Sequence, residues 1–226
     1  MDRSPVMANL ARINSAIAAA ADRSGRDPAG ITLLAVSKGM PSERVREAMA
    51  AGLKVFGENR IQEALPKIEE VGLGEVSWHL IGHLQRNKVK FVEGHFDMLQ
   101  SVDSLELVKS LEARISRPLD TLIEVNVAAE PQKTGALSSA VLEIATATLR
   151  SSRLRLRGLM TIAPQSPDPE LARPVFRGLA SLRQDLAERL EVDLPVLSMG
   201  MTDDYAVAIE EGSTMLRLGR ALFGSR

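Results

Sequence analysis

Lys38 is the side chain in this sequence most suited to covalent chemistry. It follows ITLLAVS, seven residues without a charge, at positions 31–37. A lysine at the end of such a run is expected to lie at the mouth of an apolar sheet, where its ammonium group is poorly solvated. Loss of solvent and a nearby cation such as Arg217 or Arg220 both favour the neutral amine, which attacks aldehydes. A lysine that extends from a strand end into solvent has the same pattern, so both interpretations stay open.

Two segments near the carboxyl end are typical of an anion site. SMGMTDD (198–204) and RLGRALFG (217–224) each place a small residue where a predicted strand turns toward a helix. Such turns present backbone N–H groups at the positive end of a helix, and barrels frequently bind phosphate with the loops after their last two strands. Glycine at these turns is also common for purely steric reasons. The ligand-binding residues expected from these segments are Ser198, Gly200, Gly219 and Arg220.

A reactive lysine beside a phosphate site favours a phosphorylated aldehyde as the ligand. In a closed barrel the first and last strands are neighbours, so Lys38 and Arg217 would flank one pocket. Pyridoxal 5′-phosphate (PLP) is the commonest cofactor that carries both an aldehyde and a phosphate. The two features together therefore predict a PLP pocket.

The elements that must position these residues alternate along the chain. Short apolar runs bounded by Gly, Pro, Asn or Asp take turns with longer segments of helical periodicity, which is typical of βα units on a parallel sheet. Eight such units favour a single (β/α)8 TIM barrel of the α/β class over a doubly wound sheet, which has about five or six strands. The predicted strands cover residues 31–38, 53–59, 77–82, 97–103, 121–127, 154–162, 195–200 and 213–219.

Helices are predicted between the strands and before the first one. Ser4 as N-cap and Pro5 at the first helical position begin an extra amphipathic N-terminal helix, which Gly25 and Pro28 end. No change in composition marks a linker, so residues 1–226 are expected to form one domain. The other helices are predicted at residues 42–51, 61–71, 104–114, 138–149, 170–190 and 204–211, with a βα loop at 163–169.

Several motifs, read in order, resemble those of a known family. They are AVSKGMP (35–41), FGENRIQEA (56–64), WHLIGHLQRNK (78–88), SVDS (101–104), EVNVAAEPQKTG (124–135), RGLMTIAP (157–164) and LSMGMTDDYAVAIEEGSTMLRLGRALFG (197–224). The sequence is similar to the pyridoxal phosphate homeostasis protein family, whose single-domain members resemble the N-terminal barrel of alanine racemase. The last segment is long enough to make this resemblance highly specific.

The resemblance implies a role for several residues. Lys38 is expected to hold PLP as an internal aldimine, a Schiff base between its amine and the cofactor's aldehyde. Contacts to the phosphate are expected from Ser198 and from the backbone of Gly219 and Arg220. The ring is expected to lie among Asn59, Met160 and Arg217, the last facing the pyridine nitrogen.

Composition excludes several other classes of function. With 28 basic and 29 acidic side chains the net charge is −1, so no positive field attracts nucleic acid or a membrane surface. The basic stretch at 86–90 is interpreted as a solvated helix face. The sequence has no cysteine, which excludes thiolate chemistry and fits a cytoplasmic location. No run approaches the roughly 20 apolar residues that span a bilayer.

Two pairs of titratable residues invite other interpretations. His79 and His83 have the spacing of metal ligands on a helix, but WHLIG is strand-like, and on a strand the pair would lie about 13 Å apart. No metal site is therefore expected, although His79 retains a chance of touching the cofactor. Asp203 and Asp204 resemble a pair of catalytic carboxylates. They begin a predicted helix, however, where acidic residues simply complement the helix dipole.

Two functional classes remain. A protein that stores, protects or delivers PLP, with PLP-dependent apo-enzymes as partners, needs only the pocket. An amino-acid racemase needs an acid–base residue on each face of the substrate α-carbon, and alanine racemase takes the second from a partner subunit's C-terminal domain. The chain ends at Arg226 without such a domain, and its only tyrosine, Tyr205, lies in a predicted helix. A non-enzymatic role in PLP homeostasis is therefore favoured, with the racemase as the alternative.

Overall fold

The computed structural model describes residues 4–224, in which eight parallel strands close into a barrel in chain order. The barrel closes where Thr32–Ala35 of the first strand pairs with Met215–Leu218 of the last. The predicted (β/α)8 barrel is thereby confirmed, and every predicted strand overlaps an observed one. The strands are β1 (Thr32–Val36), β2 (Val55–Glu58), β3 (Ser77–Leu80), β4 (Met98–Val102), β5 (Leu119–Glu124), β6 (Leu154–Met160), β7 (Val196–Ser198) and β8 (Met215–Leu218).

Helices fill most of the connections. The chain between β3 and β4 is the exception within the described residues, because its only helical segment is the 3-10 helix Arg86–Phe91. Further 3-10 helices lie at Pro28–Gly30, Ser138–Ala140 and Pro169–Ala172. The α-helices are α1 (Pro5–Arg23), α2 (Ser42–Ala50), α3 (Ile61–Val71), α4 (Leu105–Arg114), α5 (Val141–Arg150), α6 (Arg173–Leu190), α7 (Tyr205–Glu210) and α8 (Arg220–Phe223).

The extra N-terminal helix begins as predicted. The Ser4 hydroxyl accepts a hydrogen bond from the backbone N–H of Val6 at 3.2 Å, and Pro5 occupies the first helical turn. One face of α1 is buried and packs against α7 and α8. Residues 1–3 and 225–226, which the one-domain prediction includes, lie outside the described residues.

Successive side chains along each strand point alternately outward, toward the helices, and inward, into the barrel. In β1, Ala35 belongs to the large core between the strands and the helices, whereas Leu34 and Val36 belong to a separate cluster. Because successive side chains of a strand point to opposite faces, this second cluster fills the barrel interior. Within residues 4–224 no helix is long and apolar enough to cross a membrane.

Candidate functional site

A cavity of about 350 Å³ lies at the carboxyl end of the strands. This volume is within the range of about 300 to 1,000 Å³ typical of small-molecule sites, and the carboxyl face is where barrels place their functional residues. Segments that follow seven of the eight strands contribute to its wall, which includes Lys38, Asn59, His83, Glu124, Thr202, Arg217, Gly219 and Arg220. The cavity therefore collects side chains that are far apart in the sequence.

Lys38 lies at the rim of this cavity and is exposed. The expected burial of its ammonium group in an apolar mouth is wrong, and the reason is the length of the strand. β1 ends at Val36, so Lys38 belongs to the turn beyond the sheet, where Gly39 has a φ of 66°. The turn presents the amine at the cavity edge without enclosing it.

Arg217 lies at the cavity floor and is almost fully buried, with 4% of its surface exposed. Its Nη1 donates to the Ser198 hydroxyl at 2.7 Å, and its Nη2 donates to the backbone carbonyl of Thr161 at 2.8 Å. Burial lowers the pKa of Arg217 to about 10, while the negative charges of Glu124 and Asp204 act in the opposite direction. The guanidinium therefore keeps its positive charge at neutral pH.

A chain of hydrogen bonds extends from Arg217 into the barrel interior. The Ser198 hydroxyl donates to the side-chain carbonyl of Gln100 at 2.7 Å. The Gln100 amide lies 2.9 Å from Nδ1 of His79, so it donates to a neutral imidazole. Burial lowers the pKa of His79 to about 4, although Asp97 and Asp120 oppose this shift. These buried groups hold Arg217 in place from below.

Ser198, a predicted phosphate ligand, is therefore part of the hydrogen-bond chain in the barrel interior and does not line the cavity. It is completely buried, and its hydroxyl is engaged by both Arg217 and Gln100. Met160 is also completely buried, in an interior cluster with Met98 and Leu122. The structure thus places these two predicted contacts one layer below the cavity.

Thr202 is a wall residue that the sequence reasoning missed. Its hydroxyl accepts a hydrogen bond from the backbone N–H of Ala221 at 3.3 Å, which joins the turn after β7 to the first turn of α8. The predicted residues Gly219 and Arg220 line the cavity beside it. The signal for Thr202 was its position in SMGMT, where a hydroxyl follows the glycine turn.

Gly200 shapes that turn from outside the cavity. It is buried with a φ of 97°, and a Cβ at this position would lie 2.6 Å from the Cβ of Ala208. Only glycine satisfies both conditions without strain. Its role in the structure is thus to let the chain after β7 turn closely against α7.

Neither acidic residue after Thr202 acts as a free carboxylate. Asp203 forms an exposed ion pair with Arg220, and Asp204 accepts a hydrogen bond from the backbone N–H of Met201 at 2.6 Å. Burial raises the pKa of Asp204. Both residues precede α7 as predicted, but Asp203 pairs with α8, and the N-cap residue Asp204 makes no capping hydrogen bond with its side chain.

Glu124 is a second wall residue that the sequence reasoning missed. It ends β5 and is buried, and its Oε1 accepts a hydrogen bond from the Thr134 hydroxyl at 2.6 Å. Burial raises the pKa of Glu124, against the effects of this hydrogen bond and of Arg217. A charged residue that ends an apolar strand, the signal used for Lys38, was also present here in TLIEVNV.

The two histidines considered as metal ligands have different surroundings. His79 lies in the interior chain, whereas His83 lies at the cavity rim with its Nδ1 3.1 Å from a carboxylate oxygen of Asp103. Among residues 4–224 no three His, Asp or Glu side chains are grouped as metal ligands. The pair thus does not form a joint site.

Comparison with known proteins relates this site to a family. The family model of the alanine racemase N-terminal domain matches residues 8–226 of this chain. A pyridoxal phosphate homeostasis protein from Aquifex aeolicus is 43% identical over 96% of this chain and 96% of its own length. Another from Escherichia coli K12 is 42% identical over 96% and 95% of the two chains. This chain belongs to the pyridoxal phosphate homeostasis protein family.

Solved structures agree with this family membership. PipY of Synechococcus elongatus PCC7942, in a structure with PLP bound, is 32% identical and superposes with a TM-score of 0.84 over 97% of this chain and 100% of PipY. Alanine racemase of Corynebacterium glutamicum is 16% identical, with a TM-score of 0.71 over 98% of this chain and 61% of the racemase. The second likeness extends to the fold alone.

Proposed function

We propose that this protein binds PLP in the cavity at the carboxyl end of the barrel and acts in PLP homeostasis. The observation that carries this proposal is the meeting of Lys38, the buried guanidinium of Arg217 and the turns at Thr202 and Gly219 around one cavity. The PipY structure with PLP bound, on the same fold, supports the same ligand. We place the cofactor's aldehyde at Lys38, where the amine bonds to the aldehyde carbon and releases water.

The residues present fit the phosphate end of the cofactor. Thr202 supplies a hydroxyl, which accepts from the backbone N–H of Ala221, and we assign the backbone contacts to Gly219 and Arg220 beside it. Charge-assisted hydrogen bonds of this kind are about twice as strong as neutral ones. Because the Ser198 hydroxyl is already engaged by two buried partners, we assign the phosphate hydroxyl to Thr202 and give Ser198 the role of holding Arg217.

The residues present also fit the ring of the cofactor. Asn59 lines the cavity wall, while Met160 supports the floor from the layer beneath. We place the pyridine nitrogen at Arg217, whose positive charge opposes protonation of the ring. Bound PLP supplies an electrophilic aldehyde and a ring that accepts carbanion electrons. A ring kept unprotonated is a weaker acceptor, which favours holding the cofactor over catalysis.

The racemase alternative has less support. Tyr205, the only tyrosine in the chain, lines a separate surface cavity together with Asn9 and Arg12 of α1 and does not line the central cavity. We therefore propose a single barrel domain that stores, protects or delivers PLP in the cytoplasm, with PLP-dependent apo-enzymes as recipients. Any turnover of amino acids is a slow side activity in this account.

Titration with PLP tests the proposed function. Wild-type protein and Lys54→Ala, which changes an exposed lysine before β2, are expected to develop the same visible absorption band. Lys38→Ala is expected to bind PLP without that band, since the phosphate contacts remain. Absence of PLP binding by the wild type would overturn the proposed ligand. Rapid racemisation or transamination of amino acids by the wild type would overturn the non-enzymatic role.

A further inference from the structure

A buried ion pair lies directly beneath the turn that carries Lys38. Lys67 of α3 is 7% exposed and its Nζ lies 2.6 Å from Oε1 of Glu58, which is completely buried at the end of β2. Lysine and glutamate are almost never this buried unless they are paired. Neither residue lines the cavity within the described chain, so the proposed function leaves the pair unexplained.

Both charges of the pair bond to Ser37, the residue before Lys38. Nζ of Lys67 donates to the Ser37 carbonyl at 2.7 Å, and the Ser37 hydroxyl donates to Oε1 of Glu58 at 2.7 Å. The backbone N–H of Ser37 donates to the carbonyl of Gly57 at 3.0 Å. The main-chain and side-chain groups of Ser37 are thus fixed at three points.

The pair is a costly way to stabilise a fold. Removing two charges from water carries a large desolvation penalty for each ion, and well-packed apolar residues of similar size are often as stable or more so. Here the cost is increased because Oε2 of Glu58 is buried and has no hydrogen-bond partner in residues 4–224. Stability alone is therefore a weak explanation for the pair. Its contacts to Ser37 instead suggest control of position.

We propose that Lys67, acting through Glu58 and Ser37, is a positioning residue that holds the β1 turn so that Lys38 points its amine along the cavity rim. Lys38 lies two residues beyond the end of β1 and directly follows Ser37, so the contacts to Ser37 bear on where the turn places the amine. Glu58 is also the neighbour of Asn59, so the same pair ties together two points of the cavity wall. This inference rests on the proposed attachment of PLP at Lys38.

The test is a double substitution, Lys67→Met with Glu58→Leu, which removes both charges and leaves neither ion unpaired. Leu111→Ala, a core change on α4 remote from the cavity, serves as a control for lost stability. Each variant is compared with the wild type in its melting temperature, its affinity for pyridoxine 5′-phosphate, which has no aldehyde, and its rate of covalent attachment of PLP by stopped-flow absorbance.

The double variant is expected to bind pyridoxine 5′-phosphate as the wild type does but to attach PLP about tenfold more slowly, because small errors in reactant position cost large factors in rate. Leu111→Ala is expected to lower the melting temperature with no change in attachment rate. An attachment rate in the double variant equal to that of the wild type would overturn the inference. Equal slowing in Leu111→Ala would overturn it too.

Two further outcomes separate this inference from the proposed function. If the double variant does not fold, Ser37→Ala is used in its place, because it removes only the hydrogen bond from the Ser37 hydroxyl to Glu58. The rate of covalent attachment of PLP is then expected to fall about threefold. An unchanged rate in Ser37→Ala would then contradict the inference. If the wild type itself forms no covalent bond with PLP, the proposed attachment at Lys38 fails, and the positioning role fails with it.

Discussion

The hydroxyls of Ser198 and Thr202 lie four residues apart in the sequence but in different layers of the barrel. Ser198 bonds to Arg217 and Gln100 in the interior, whereas Thr202 lines the cavity and bonds to the backbone of Ala221. The difference follows from the end of β7 at Ser198, after which the chain turns outward. Loss of the Thr202 hydroxyl should therefore weaken PLP binding, and loss of the Ser198 hydroxyl should lower the free energy of unfolding.

Thr202→Val, which keeps the shape and removes the hydroxyl, is expected to weaken PLP binding at least about tenfold, because a hydrogen bond to a charged group contributes about 1.5 to 3 kcal/mol. Pyridoxal, which has no phosphate, should bind the variant and the wild type equally. Ser198→Ala should instead lower the free energy of unfolding by about 1 to 3 kcal/mol, because Gln100 and Arg217 lose a buried partner. Equal weakening of pyridoxal and PLP by Thr202→Val would contradict the assignment.

His79 gives the apo-protein a pH dependence that can be assigned to one residue. Its folded pKa of about 4 lies below the ordinary value of 6.5, so between these values the unfolded chain binds a proton that the folded protein does not. The free energy of unfolding should therefore fall as the pH is lowered from 6.5 toward 4, by up to about 1.4 kcal/mol per pH unit from this residue.

Urea unfolding of the apo-protein between pH 7 and pH 5 measures this dependence. His79→Gln should reduce the slope in that interval, whereas His95→Gln, which changes a half-buried histidine outside the interior chain, should leave it unchanged. A slope that is the same in His79→Gln and the wild type would show that the imidazole is not kept neutral by burial.

At the scale of elements, the site depends on how strands end and turn. β1 stops two residues before Lys38, and β7 stops two residues before Gly200, so the reactive groups lie on turns supported by the rigid barrel. In the turn after β7, the positive φ of Gly200 and its close approach to Ala208 bring Met201 and Thr202 to the cavity. A side chain at Gly200 should disturb that approach.

Gly200→Ala is expected to lower the free energy of unfolding by about 2 to 4 kcal/mol, because unfavourable backbone geometry and a clash with Ala208 act together. It should also weaken PLP binding, since Thr202 moves with the turn. Gly74→Ala is the matched control, because Gly74 also has a positive φ, 87°, but its Cβ would meet nothing within 4 Å. Equal destabilisation by the two changes would show that packing against Ala208 contributes nothing.

At the scale of the whole molecule, the sequence predicted the barrel well because its signals are periodic and local. The interior chain from Arg217 to His79 was not predictable in this way. His79 was considered only as a metal ligand or a contact of the cofactor, no pattern linked it to Gln100, and only the fold of the barrel brings the two side chains together. The predicted burial of Lys38 was wrong for a different reason: sequence pattern locates a strand end to within only about two to four residues, and β1 ends at Val36.

The proposed function depends above all on the attachment of PLP to one lysine, Lys38. The most direct measurement is reduction of the PLP-loaded protein with sodium borohydride, followed by peptide mass spectrometry to locate the modified lysine. The pyridoxyl group is expected on the peptide containing Lys38, and in Lys38→Ala no other lysine is expected to carry it. A group fixed instead to Lys133, whose Nζ lies 3.5 Å from the carbonyl of the cavity residue Ile162, would contradict it.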